Sequence, residues 1–476
     1  MIDEYKVFGP PGTGKTTYLL NEVKFFLKEG VPLHKIGYFA FTKKAANEAK
    51  NRMPHDNKKL THFQTLHSLA FHTLGLTEDR VMQPIHYEDL GKLLNIRVHY
   101  EDKFNEQESF YLTCDSLYYQ LIGRAANKDI SFEEEYNTGE YPRDEIEYDL
   151  LRHIAINLAE YKKKNNLIDF NDMVKMFLDK EEQCPKFEVV FIDEAQDLSP
   201  IQWQMVDVLK KKTDFLYLAG DDDQAIYTWA GADVDRFVKE PCDHEIILDQ
   251  SRRIPFSVQE QSEVILNKIQ GVRKHKKYFP KAEEGFCQKI NDLGQVNLKE
   301  GKWLILTRTK SRMEDVMTDL TEAGLFFENK KGKSVKMGLW KAILNFSTRK
   351  KEDLTESELK AVEEYTGQEE WPDAPWYECF INAKESEKDY IRRMLDNGEK
   401  LSESPRIKIS TIHAAKGGEE ENVIVFLDNS RKIRRAVLHN QAKRDEEHRV
   451  WYVGFTRASR NLYLHTAKTQ LNGYDI

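Results

Sequence analysis

The sequence predicts an α/β protein in which parallel sheets are covered by helices, divided into more than one domain. Short runs rich in Val, Ile, Leu and aromatics recur along the chain, each closed by a polar or glycine-bearing turn. Helical patterns fill the intervals between them, which is the order of strand–crossover–strand units. At 476 residues the chain also exceeds what one hydrophobic core organises, so two or more domains are expected.

The runs are Lys6-Val-Phe8, Ile36 to Phe41, Phe187 to Ile192, Phe215 to Ala219, Ile246 to Leu248, Trp303 to Leu306, Ile407 to Ile409, Val423 to Leu427 and Leu462 to Leu464. Their lack of alternation suits strands buried on both faces. Thr16 to Glu29 is a helix by pattern: Leu19, Leu20, Val23, Phe26 and Leu27 share a face, and Gly30 ends it. Residues from about 75 to 165 and from about 330 to 400 carry no such runs and read as helical insertions. The second contains charge-rich Lys350-Lys-Glu-Asp353 and the loop-like Glu370-Trp-Pro-Asp-Ala-Pro375.

Hydrophobic residues make up 40% and charged residues 32%, and no apolar run is long enough to cross a membrane. Met1-Ile-Asp-Glu-Tyr5 lacks the basic and apolar regions of a secretory signal. The five cysteines, Cys114, Cys184, Cys242, Cys287 and Cys379, form neither a disulfide framework nor a zinc-spaced cluster, so a cytoplasmic location is expected. A net charge of −9 does not exclude a polyanion partner, because phosphate binding depends on local basic grooves. Basic runs occur at Arg273 to Lys277, Lys330 to Lys333 and Arg431 to Arg435, and each taken alone reads as solvated surface charge.

Gly9-Pro10-Pro11-Gly12-Thr13-Gly14-Lys15-Thr16 lies directly after a strand pattern and before a helix pattern. Glycines there free the backbone amides to surround phosphates, and the helix N-terminus adds positive potential. Lys15 would reach the β- and γ-phosphates of a nucleotide, with Thr16 ligating Mg²⁺. Phe191-Ile-Asp-Glu-Ala-Gln-Asp197 ends another strand pattern, at the sheet edge where such folds bind ligands. Asp193 is placed to hold the Mg²⁺, and Glu194 to orient and deprotonate an attacking water.

Asp193 to Asp197 has the spelling of motif II in the UvrD/Rep-like superfamily 1 helicases, and the family's other motifs have counterparts in order along the chain. Phe41-Thr-Lys-Lys-Ala-Ala46 resembles motif Ia, Gln64-Thr-Leu-His-Ser68 motif Ib, and Ile168-Asp-Phe-Asn-Asp-Met173 the segment before motif II. Gly220 to Trp229 resembles motif III, Leu248 to Arg253 motif IV, Thr411 to Gly417 motif V and Val453 to Ala458 motif VI. The resemblance implies two RecA-like domains (P-loop NTPase), with ATP in the cleft between them. The first comprises residues 1–74 and 166–249, interrupted by a helical insertion at 75–165. The second comprises 250–329 and 401–476, interrupted by a reduced insertion at 330–400.

It also implies roles for individual residues. Gln224 senses the γ-phosphate, Arg253 and Arg457 reach ATP from the second domain, and Glu419 contacts the ribose. Thr17 and Arg252 join the nucleotide-binding set. Phe41, Tyr227 and Trp229 become stacking platforms for bases, which grip a strand at about 1–3 kcal/mol per base without reading it. Thr42, His67 and Ser68 contact phosphates or sugars, and His413 joins the nucleic-acid-binding set.

Some positions depart from the family pattern. Arg252 stands in place of a tyrosine, Ala230 in place of an arginine, and Gly418 and Glu420 replace apolar residues flanking Glu419. Only eight residues precede Gly9, so the family's adenine-reading glutamine is expected to be missing, and the sequence ends without a nuclease-like block after motif VI. The expected function is an ATP- and Mg²⁺-dependent DNA helicase or single-strand translocase, moving 3′ to 5′, with single-stranded DNA and duplex junctions as partners and no membrane association. The alternatives are a translocase that strips proteins from DNA without unwinding it, and a nucleic-acid-gated ATPase that regulates a partner such as a defence nuclease.

Overall fold

The computed structural model describes residues 2–54, 57–98, 116–138, 145–367, 371, 374–469 and 472–476. Cys114, and Glu370, Pro372 and Asp373 of the expected loop, lie outside the described residues. Two compact units emerge, one of residues 1–253 and 269–281, the other of 254–268 and 282–476. The expected division at residue 249 is therefore displaced: Gln250 to Arg253 and the stretch 269–281 pack with the first unit.

The first unit is organised by six strands: β1 (Asp3–Phe8), β2 (Ile36–Phe39), β3 (Phe63–Gln64), β4 (Val189–Ile192), β5 (Phe215–Gly220) and β6 (His244–Ile247). They lie in the order β3-β2-β4-β5-β1-β6, and every pairing is parallel. All carboxyl ends thus fall on one edge. β4 is buried throughout, as its unbroken Val-Val-Phe-Ile composition requires. β6 departs from the expectation of a strand covered on both faces. Among the described residues it is an edge strand with a single neighbour, and Ile247 is exposed. Helices Lys15–Lys28 and Pro200–Lys210 belong to separate apolar clusters of this unit. Phe26 packs edge-on to Phe191, while Trp203, Met205 and Leu209 are fully buried. Each large apolar side chain removed from water in this way contributes about 1.5–3 kcal/mol.

The 75–165 stretch is helical where described, with Pro84–Leu93, Leu117–Lys128, Phe132–Asn137 and Tyr148–Asn165. The Leu117–Lys128 helix approaches the loop after β5: Asn127 Nδ2 donates to the carbonyl oxygen of Ala230 at 2.9 Å.

The second unit carries β7 (Phe286–Ile290), β8 (Trp303–Thr307), β9 (Phe327–Asn329), β10 (Gly332–Lys333), β11 (Ile407–Thr411), β12 (Glu420–Phe426) and β13 (Ala458–His465). Their order is β10-β9-β11-β8-β12-β13-β7, parallel except for the β9–β10 pair. The reduced insertion is again helical, with Met337–Thr348, Glu356–Thr366 and Glu385–Asp396 as its main elements. β3, β7, β9 and β10 were not legible in sequence, because they are two to five residues long or partly solvated. The two α/β units, each with a parallel core, agree with the expected fold class. The four described cysteines are free thiols, and no described helix is long and apolar enough to cross a membrane.

Candidate active site

The candidate site grows from the carboxyl edge of the first sheet. β1 ends at Phe8, and Gly9 N donates to the carbonyl oxygen of Gly220 at the end of β5 (3.0 Å). The chain then turns tightly: Thr13 donates to Pro10 O through its amide (3.2 Å) and its hydroxyl (2.7 Å). Gly12 (φ 75°) and Gly14 (φ 84°) adopt left-handed backbone. A side chain at Gly9 would collide with the Lys15 stem, its Cβ falling 2.1 Å from Cγ of Lys15. At Gly12 a Cβ would fall 2.4 Å from that of Arg253.

Gly14, the N-cap of the helix Lys15–Lys28, has no side chain with which to cap its first turn. The leading amides of the helix are therefore suited to an anion. Lys15 folds back over the loop, with Nζ 3.1 Å from Gly9 O and 3.5 Å from Oε1 of Glu194. Thr17 Oγ1 accepts a hydrogen bond from Nη2 of Arg52.

β4 delivers the carboxylates. Thr16 Oγ1 donates to Oδ2 of Asp193 at 2.8 Å, and the hydroxyl of Tyr38 on β2 donates to the same oxygen at 2.8 Å. The other oxygen, Oδ1, accepts the amide of Glu194 at 3.0 Å. Burial, reinforced by the neighbouring Glu194, pushes the Asp193 carboxyl above its ordinary range, while Lys15 and the two hydroxyl donors oppose the rise. Thr16 and Asp193 offer hard oxygen donors, the kind Mg²⁺ takes, so the residues present fit the ion that the phosphate loop implies.

Glu194 holds left-handed backbone (φ 58°, ψ 41°), uncommon for a residue with a side chain. Nε2 of Gln196 donates to its Oε2 at 2.7 Å. Gln196 is fully buried, and its Oε1 accepts the amide of Asp221 after β5 (3.0 Å). Asp221 in turn accepts Nε2 of Gln224 on Oδ2 at 2.6 Å. Glu194 and Gln224 thus join one hydrogen-bonded chain through Gln196 and Asp221.

The residues after β6 roof the loop. Ser251 Oγ donates to Pro11 O (2.8 Å), and Arg252 N donates to Gly12 O (2.9 Å). Arg252 is exposed and Arg253 half-buried. The structure corrects the expectation that Arg253 reaches ATP from the second domain, since it belongs to the first unit, directly beside Gly12. The reason is local: Ser251 and Arg252 pin this segment to the loop.

In the second unit Arg457 is buried. Its Nε donates to Val453 O (2.9 Å) and Nη1 to Gly418 O (3.1 Å), joining the motif V and motif VI segments. Glu419 is exposed beside them, and His413 is half-buried.

Of the three expected stacking rings, Trp229 is 38% exposed, Tyr227 is half-buried, and Phe41 belongs to the core with its ring stacked on Tyr227 at 5.4 Å. Phe41 ends an apolar run, and that placement favours the core. Thr42 and Thr65 act as N-caps, Thr42 Oγ1 accepting Ala45 N and Thr65 Oγ1 accepting Ser68 N, both at 3.1 Å. His67 is buried edge-on to Phe170 at 5.7 Å, so its ring faces the interior. Sequence reasoning missed Tyr38, Gln196, Ser251, Arg273 and Lys276. Arg273 and Lys276 sit in a basic run that read as surface charge, Gln196 and Ser251 lie inside the motif II and motif IV segments without an assigned role, and nothing marked Tyr38.

The carboxyl edge of the parallel sheet thus gathers a glycine-rich loop of P-loop spelling, an Asp-Glu strand end and the loop that carries Gln224. Residues 3–245, just over half of the sequence, match the UvrD/REP helicase N-terminal domain, and the chain belongs to that family. It is 26% identical over 291 residues to the ATP-dependent DNA helicase PcrA of Staphylococcus epidermidis, covering 56% of this chain and 37% of that protein. It is 28% identical to the ATP-dependent DNA helicase Rep of Buchnera aphidicola (48% and 34% covered). The same identity relates it to a probable DNA helicase of Mycoplasma pneumoniae (48% and 46% covered). The matches span about a third to under a half of those relatives.

Proposed function

We propose that this chain is an ATP-hydrolysing motor that moves along single-stranded DNA, in the 3′ to 5′ direction, and separates duplexes at junctions. The observation that carries the reading is the contact of Thr16 with Asp193 at 2.8 Å across 177 residues of sequence. It joins a phosphate loop to an acidic strand end, the pairing that nucleotide hydrolysis needs.

In this reading the loop amides and the uncapped helix start receive the phosphates, and Lys15 leaves Glu194 to neutralise charge on the γ-phosphate. Thr16 and Asp193 hold Mg²⁺, which when bound offsets the charge that builds on the phosphate oxygens. Glu194, steadied by Gln196, orients the attacking water and takes its proton. Gln224 registers the γ-phosphate from its place on Asp221. Five residues further on, Trp229 stacks on a base, so strand grip and γ-phosphate sensing share one loop. Arg253, beside Gly12, stabilises charge on the transferred phosphoryl group. For Arg457, Glu419 and His413 the support is the family resemblance.

The test is the ATPase rate titrated with single-stranded DNA, RNA and duplex, followed by unwinding of tailed duplexes by the purified chain. Strong stimulation by single-stranded DNA and displacement from 3′-tailed substrates are expected. Preference for a 5′ tail would overturn the polarity, and ATPase stimulation without displacement would favour the gated-module alternative.

A further inference from the structure

The chain passes between its two units three times, after Arg253, after Lys268 and after Lys281. The middle stretch, 269–281, follows the helix Phe256–Leu266 of the second unit, yet packs within the first. There it meets the three consecutive aspartates that follow β5.

Lys276 Nζ lies 3.1 Å from Oδ1 of Asp221 and 2.9 Å from Oδ2 of Asp223, and it also bonds Oδ1 of Asp222. Arg273 grips Asp223 with a two-pronged contact, Nε to Oδ1 at 2.6 Å and Nη2 to Oδ2 at 3.2 Å. The amide of Lys274 donates to Oδ2 of Asp222 at 2.8 Å. The Lys276 side chain is 2% exposed, and the carboxylates at most 1%.

Three such carboxylates lie close enough together to bind a metal ion, but the ammonium of Lys276 already sits among them. Burial works to lower the Lys276 ammonium, and the three carboxylates override it and raise it. Burial pushes Asp222 up to about 6 even with Lys276 beside it. Without Lys276 only Arg273, on Asp223, would offset the three buried carboxylates, and the charge left unpaired would be strongly unfavourable.

The carboxylate of Asp221 links several partners: Oδ1 faces Lys276 and also accepts the amide of Asp223 (3.3 Å), and Oδ2 holds Nε2 of Gln224. Its amide leads through Gln196 to Glu194. We propose that Lys276, assisted by Arg273, is a positioning residue for Gln224, fixing the Asp221 carboxylate so that the segment 269–281 and the γ-phosphate sensor move as one piece. The segment is covalently continuous on both sides with the second unit, so Gln224 is tied to the connections that a conformational cycle must load. This inference rests on the sensing role proposed for Gln224.

The test is a double-mutant cycle on the full chain, read as single-turnover hydrolysis with DNA and as affinity for a non-hydrolysable ATP analogue with Mg²⁺. Lys276→Met combined with Asp222→Asn removes one charge of each sign and so keeps the cluster's balance. Hydrolysis should fall at least tenfold while analogue affinity stays within threefold, and adding Gln224→Ala should cause no further loss. Arg273→Lys, which keeps the charge but loses the two-pronged contact, is the milder variant. It should slow hydrolysis about threefold, again without effect once Gln224 is gone. If either loss multiplies with that of Gln224→Ala, or if Arg273→Lys and a folded Lys276→Met/Asp222→Asn both hydrolyse within twofold of the parent, the positioning role is wrong. If Gln224→Ala alone leaves hydrolysis unchanged, the sensor assignment fails instead.

Discussion

The hydroxyl of Tyr38 donates to Oδ2 of Asp193 at 2.8 Å, so a residue on β2 supports the carboxylate that β4 brings to the site. Burial and the adjacent Asp193 push the phenol well above its ordinary value, so Tyr38 keeps its proton and acts as a donor. A donor behind a metal-binding carboxylate fixes its orientation, and losing such a partner costs roughly 10–100-fold in metal affinity or activity. Tyr38→Phe is therefore expected to raise the Mg²⁺ concentration for half-maximal hydrolysis about tenfold, with Mg²⁺-free nucleotide binding little changed. A Mg²⁺ titration identical to the parent's would remove this role.

Lys15→Ala and Glu194→Gln should both abolish turnover but separate in binding. In the proposed reading Lys15 contributes charge to phosphate binding, so its loss should weaken nucleotide affinity. Glu194→Gln keeps the shape and the Gln196 contact, so ATP should remain bound and uncleaved. Equilibrium binding of labelled ATP beside a steady-state assay distinguishes them, and near-normal turnover in either variant contradicts the site.

Trp229 is the most exposed of the three rings considered for base stacking. Trp229→Ala should reduce stimulation by single-stranded DNA several-fold more than it changes DNA-free hydrolysis. Phe41→Leu, a change in the core, should lower thermal stability instead. DNA affinity should fall as salt rises, because phosphate contacts release counterions. Unchanged stimulation in Trp229→Ala would point to another platform.

Burial holds the imidazole of His67 down to about 3, against 6.5 for the exposed group. Below pH 6.5 the unfolded chain binds a proton there that the folded one refuses, so stability is present above 6.5 and is lost as the pH falls toward 3. The slope approaches about 1.4 kcal/mol per pH unit for this one group. His67→Gln should flatten the decline of the first unit's urea midpoint between pH 6.5 and 4.5. An unaltered pH slope would show that His67 titrates normally.

The loop Gly9 to Thr16, the Asp193-Glu194 strand end and the major strands were legible in the sequence, because each depends on residues close together in the chain. Glycine spacing, apolar runs and turn chemistry are local, and backbone sterics and burial translate them directly into a strand–loop–helix unit. Tertiary structure alone decided which distant groups share an atom. Tyr38 and Thr16 converge on one oxygen of Asp193 because parallel pairing aligns the carboxyl ends of β1, β2 and β4, and Thr16 opens the helix that follows β1. The same packing placed Arg253 beside Gly12 in the first unit, and buried Phe41 and His67, two of the residues expected at nucleic acid. It also turned Lys276, one cation in an apparently solvated run, into the buried counter-charge of three aspartates more than fifty residues earlier. A charge run has the same spelling in solvent and in a core; only the partners supplied by the fold determine whether burying it is tolerated.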